Sequence, residues 1–152
     1  KAAITDVNAR LSGLHAELDA LRAPAGKWLW KSGALVGGRV PWEAEVLSAP
    51  GYFALQPNRF ELVVAREGLY ELSLGVFGRR KPHVSVFLNG EAVIGCSRRR
   101  LGDAEKFEGA HSNGNVVGLT FFDFVVLPAE AHLWVAAETD PGCEAFLRLV
   151  KV

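Results

Sequence analysis

Tyr70-Glu71-Leu72-Ser73-Leu74-Gly75-Val76 and, after a short basic break, Val84-Ser85-Val86-Phe87-Leu88-Asn89-Gly90-Glu91-Ala92-Val93-Ile94 are the stretches that decide the fold. In the first, Tyr70, Leu72, Leu74 and Val76 fall on one face and Glu71, Ser73 and Gly75 on the other, the period of two of a half-buried strand. In the second, Val84, Val86 and Leu88 alternate with Ser85 and Phe87 and run into Asn89-Gly90. Both residues of that dipeptide tolerate positive φ, so it predicts a tight hairpin onto Glu91-Ala92-Val93-Ile94.

Working outward, the same period returns in Leu133, Val135 and Ala137 and in the closing run Ala145-Phe146-Leu147-Arg148-Leu149-Val150. The stretch from Val116 to Leu127, broken only by Thr120 and Asp123, reads as a strand buried on both faces. Pro50-Gly51, Pro57, Gly68, Pro82, Gly90, Gly114, Pro128 and Pro141-Gly142 punctuate the chain at short intervals. Many short strands separated by turn signals predict an all-β sandwich or jelly roll over residues 25–152.

Residues 1–24 follow a different rule. Ile4, Val7, Leu11, Leu14, Leu18 and Leu21 recur in steps of three and four, a heptad seam with polar residues around it. The narrow seam predicts a coiled coil rather than a helix folded onto the domain. With Ile4 at position a, Glu17 and Arg22 meet across a parallel interface with opposite charge. Pro24 and Gly26 stop the helix. Fewer than three heptads are marginal alone, so either more coil lies upstream or the heads themselves associate. The absence of methionine and the helical pattern already under way at residue 1 read as a piece of a longer protein.

The order of the motifs resembles the globular head of complement component 1q, within the tumour necrosis factor-like superfamily. The residues that carry the resemblance are Phe60 with Glu61-Leu62-Val63-Val64, then Gly68-Leu69-Tyr70, then the strand ending in Asn89-Gly90. Gly114-Asn115-Val116-Val117-Gly118-Leu119 and the closing Ala145-Phe146-Leu147 complete the series. The resemblance implies a ten-stranded jelly roll that assembles as a trimer, with a stalk on its N-terminal side. Two features depart from the pattern. Glu71-Leu72-Ser73-Leu74 lacks the usual alternate aromatics, and residues 97–112 read as a polar, basic insertion.

The 152 residues carry 17 lysines and arginines against 17 aspartates and glutamates, so no global field recruits nucleic acid or an anionic membrane. No apolar run approaches the roughly 18 residues of a membrane span. His15, His83, His111 and His132 are scattered without metal-ligand spacing, and no nucleophile elbow or phosphate loop occurs. The expectation is no catalytic residue, no metal and no cofactor. Cys96 and Cys143 read as two unbridged thiols, a bridge requiring an oxidising compartment. Asp103, Glu105 and Glu108 read as one solvated loop. Trp28, Trp30 and Trp42, with Tyr52 and Phe53, read as core or subunit contact ahead of a ligand platform.

Two basic clusters, Arg79-Arg80-Lys81 and Arg98-Arg99-Arg100, follow predicted strands and are the candidate partner-binding loops, able to hold carboxylates bidentately if they converge. The expectation for function is a non-catalytic homo-oligomer, trimer favoured over dimer, in which a coiled coil clusters β-sandwich heads for avid binding of a protein partner. The alternative is a structural cap that registers and ends a longer coiled coil without a ligand. The missing glycosylation sequons point to an intracellular setting, the family resemblance to a secreted one.

Overall fold

The computed structural model describes residues 7–11, 23–31, 33–80, 82–96, 107–113, 116–138 and 142–152. Eleven strands follow one another: β1 Ala25–Lys31, β2 Ala44–Ser48, β3 Phe53–Leu55, β4 Leu62–Val64, β5 Gly68–Gly78, β6 His83–Leu88, β7 Glu91–Cys96, β8 Phe107–Asn113, β9 Val116–Leu127, β10 Ala131–Glu138 and β11 Glu144–Lys151. They form a six-stranded sheet, β2-β1-β11-β5-β9-β8, and a five-stranded sheet, β3-β4-β10-β6-β7. Every described strand pair is antiparallel. From β4 onward the chain crosses repeatedly between the sheets, the winding of a jelly-roll sandwich.

The period-two faces become the core. Tyr70, Leu72, Leu74 and Val76 of β5 and Leu147 and Leu149 of β11 meet Val84 and Val86 of β6 and Leu133 and Val135 of β10, all buried. Asn89 and Gly90 turn the β6–β7 hairpin with φ of 50° and 86°. Asn89 also stitches the turn to the neighbouring strand: its N–H donates to the His132 carbonyl at 2.8 Å, and its Oδ1 accepts from the His132 N–H at 2.9 Å.

Trp28, Trp30 and Trp42 are fully buried, with the Phe53 ring edge-on to Trp28 at 5.5 Å and to Tyr70 at 6.1 Å. Among the described residues their three indole N–H groups find no hydrogen-bond partner, and the rings fill apolar volume in the core. Tyr70 differs. Its hydroxyl donates to the Arg66 carbonyl at 2.7 Å, tying the start of β5 back to the preceding loop.

Two expectations are corrected. The run from Val116 to Leu127 is not buried on both faces: Leu119, Phe121 and Leu127 are covered, whereas Phe124 is 50% and Val126 74% exposed. A continuous apolar run shows that a strand can be buried twice, but β9 has an opposing sheet on one side only. The basic insertion is also shorter than 97–112. Residues 107–113 form β8, from Phe107 opposite Phe122 to Asn113 opposite Val116. Glu108 therefore sits on a strand rather than in a loop with Asp103 and Glu105. An edge strand needs only the unpaired backbone groups of its neighbour, which a polar sequence can satisfy without apolar alternation.

Tyr70→Phe tests the corner. Loss of one buried hydrogen bond should cost about 1 kcal/mol in denaturant unfolding at neutral pH. Burial, helped by the nearby Tyr52 and opposed by Arg66, raises the Tyr70 pKa above 10.0. The unfolded chain therefore loses this proton first, and stability falls as pH rises above about 10. The phenylalanine variant should show a shallower loss over that alkaline range.

Candidate functional site

The sequence-predicted residues divide unevenly. Of the six heptad positions, Val7 and Leu11 lie in a helical turn at residues 7–11, 53% and 50% exposed. They stand four residues apart and so share a face. Ile4, Leu14, Leu18 and Leu21 lie outside the described residues. Arg79 and Arg80 follow β5 and are exposed; Lys81, Arg98, Arg99 and Arg100 lie outside the described residues. The backbone nevertheless relates the two basic connections. The first leads into β6 and the second leaves β7, and Val84 pairs with Cys96, so both start from neighbouring strand ends at one end of the sandwich.

The outer face of the six-stranded sheet carries exposed apolar side chains, among them Leu69, Phe124 and Val126. Register places Leu69 beside Val126, Glu71 beside Phe124 and Ser73 beside Phe122, all pointing outward. Phe122 and Phe124 stack edge-to-face at 5.3 Å. Asp123 points the other way, beside the buried Leu72 and into the gap between the sheets. The strand is thus apolar on both sides: Phe122, Phe124 and Val126 face outward, Leu119, Phe121 and Leu127 face inward, and its one carboxylate also faces inward.

Further along the same face, Phe77 and Phe146 stack at 6.4 Å with planes 20° apart. Each lies over a glycine. A Cβ at Gly75 would collide with the Phe146 ring, and one at Gly118 with the Phe77 ring. Lys27 Nζ sits 5.6 Å from the Phe146 centroid. Two glycines thereby let two large rings lie flat on the sheet instead of standing away from it.

The outer face of the five-stranded sheet carries a second cluster, which the sequence reading did not single out. Phe87 and Trp134 stack at 5.6 Å, 5° from parallel. The Arg39 guanidinium lies 4.7 Å from the Phe60 centroid and 5.6 Å from that of Trp134. The available signal was Gly37-Gly38, a two-residue turn signature. It folds Val36 to Arg39 into a small hairpin with φ of 57° and 77° at the glycines.

Between β9 and the β6–β7 hairpin a cleft of about 260 Å³ opens, walled by Leu72, Val86, Ile94 and Leu133, with Asp123 the sole carboxylate among its described lining residues. Asp123 Oδ1 accepts from the Phe124 N–H at 2.8 Å. Among the described residues that line the cleft, no histidine, serine or cysteine joins that carboxylate. Among the described residues no three His, Cys, Asp or Glu side chains gather in a metal-binding group. His132 Nδ1 contacts Glu61 at 3.1 Å on the open surface. Cys143 is buried. No described helix is long and apolar enough to cross a membrane.

Residues 25–152 match the family model described as "Domain of unknown function (DUF8789)". No curated protein matches the chain in sequence. Among solved structures, the globular domain of zebrafish complement 1qA protein superposes with a TM-score of 0.60 at 10% identity, covering 85% of this chain and 97% of that one. Eiger TNF from S. frugiperda gives 0.57 at 12% identity, over 86% and 93%. Rabbit GITRL gives 0.50 at 14%, over 86% and 94%. The fold is that of a complement 1q/tumour necrosis factor-like head.

Gly118→Val should displace the Phe77 ring and lower stability by about 1 to 3 kcal/mol. The check is the denaturation midpoint together with near-ultraviolet circular dichroism of the aromatic stack.

Proposed function

The chain belongs to the DUF8789 family, and we propose that it serves there as a non-catalytic protein-interaction head that assembles with copies of itself. The observation that carries this reading is the exposed apolar outer side of β9. A strand that turns Phe124 and Val126 outward while an aspartate faces the inter-sheet gap is patterned for cover on its outer side. A second copy supplies that cover. Completing the burial of these two side chains would contribute on the order of 1 to 2 kcal/mol per subunit, enough to matter when repeated around an axis. The similarity to complement 1q and tumour necrosis factor-like heads favours three copies, with two as the alternative.

The six residues Ile4, Val7, Leu11, Leu14, Leu18 and Leu21 are proposed to add a parallel coiled coil on the N-terminal side. Clustering then converts weak contacts at each head into avid binding. The basic connections carrying Arg79-Arg80-Lys81 and Arg98-Arg99-Arg100 are proposed to contact the protein partner, a reading supported by their departure from adjacent strand ends.

Light scattering tests the assembly. The wild-type chain should run as a trimer, and a Phe124→Glu/Val126→Glu double variant as a monomer with unchanged strand content. A trimer that survives both substitutions removes this face as the contact. Leu14→Asp/Leu18→Asp separates the two contributions: a persisting trimer means that the heads hold it together, and monomers mean that the coil does. Substituting both arginine clusters should weaken partner capture most at low salt, where exposed charges are least screened. Unchanged capture would instead favour a cap that ends a coiled coil without a ligand.

A further inference from the structure

We propose that Arg39, held against the Phe60 and Trp134 rings on the outer face of the five-stranded sheet, is a preformed receptor for a carboxylate side chain of an acidic polypeptide partner. The proposal deepens the reading of the chain as a protein-interaction head. It places a contact on the face opposite the self-association surface.

β4 pairs with β10 only at Ala131 to Leu133, which leaves the same edge of β10 open beyond that point. The Val36–Arg39 hairpin fills the opening. Val40 N–H donates to the Val135 carbonyl and Ala137 N–H to the Gly38 carbonyl, each at 2.9 Å, and Arg39 bridges to Ala136. Arg39 is therefore mounted as a short extra strand, with Val40 buried beneath it and its own side chain on the outer face. That face also carries Trp134 and Phe87 in their parallel stack.

A guanidinium lying on aromatic faces satisfies its flat sides and keeps its N–H edge for ligands. Among the described residues the Arg39 side chain has these ring contacts and no carboxylate partner. The nearby acid Glu61 is engaged by His132. A charged fork already ordered by its neighbours loses little side-chain freedom on binding, and a carboxylate fits it bidentately. Arginine, tryptophan and phenylalanine in contact are also the residue types enriched at the energetic centres of protein interfaces. The site further lies on the half of β10 that runs towards the end where the arginine-bearing connections leave, since Glu138 pairs with His83. An acidic segment crossing that end would meet cationic groups in succession.

Trp134 is the reporter, because the other three tryptophans are fully buried. The probes are acetyl-Leu-Glu-Leu-amide and its isosteric glutamine counterpart, titrated into the wild-type chain while the Trp134 indole N–H resonance and the Arg39 side-chain N–H signals are followed. The glutamate peptide should shift both saturably and bind roughly tenfold more tightly than the glutamine peptide. R39Q should abolish that difference, and R39K, with a point charge in place of the fork, should recover only part of it. Light scattering on R39Q should return the wild-type mass, so failure of this site and failure of self-association read out separately. Equal responses to the two peptides, no response, or an unchanged preference in R39Q would overturn the proposal, as would a stronger response to a short oligothymidylate. The comparison of the two peptides needs no variant, so it decides the matter even where a substituted chain does not fold.

Discussion

The insertion of the last strand between the first and the fifth governs the rest of this molecule. β11 pairs with β1 from Val150 opposite Ala25 to Glu144 opposite Lys31, and with β5 from Lys151 opposite Tyr70 to Glu144 opposite Phe77. Without it, β1 with its two buried tryptophans has no place in the six-stranded sheet, and β5 keeps one open edge. The ends of the domain must therefore meet before its sheet exists. Pairing at such sequence separation carries a loop-closure cost early and returns its packing energy late, which marks the fold as slow to form and cooperative once formed.

With the sheet complete, the sandwich has two outer faces of different chemistry. The six-stranded side offers phenylalanines laid over glycines and the exposed pair Phe124 and Val126. The five-stranded side offers stacked rings around a guanidinium, a surface with direction and charge. Apolar burial is non-directional and scales with area, so it suits assembly. A rigid arginine fork discriminates among partners by geometry. On the proposed reading, dividing the two tasks between opposite faces would let the chain associate with itself without occluding the contact to something else.

The small hairpin at Val36–Arg39 shows how a minor element acquires a role from its mounting. Two glycines at positive φ close the turn, and backbone hydrogen bonds to Val135 and Ala137 fix it to the sheet. The jelly-roll winding leaves that stretch of β10 available because β4 is only three residues long. A longer β4 would have covered the edge and displaced Arg39 from its aromatic neighbours.

The alternation in β5, β6, β10 and β11, the Asn89-Gly90 turn and the order of motifs were legible in the sequence because each is local. A side-chain period of two and a turn needing positive φ are properties of a few consecutive residues, and they determined the fold class and most of the core. The wrongly doubled burial of β9 and the hidden strand β8 were not legible, because they depend on which sheet lies opposite and which edge is left unpaired. For the same reason Asp123, which in sequence would mark a solvent face, turned inward and revealed the outward apolar side only when Leu72 was seen beside it. The arginine clusters stood out as charge, whereas Arg39 had no sequence mark of its own. Its neighbours Phe60, Phe87 and Trp134 come from three distant segments, and only the register of the sheet and the hairpin docked on its edge brought their rings together around it.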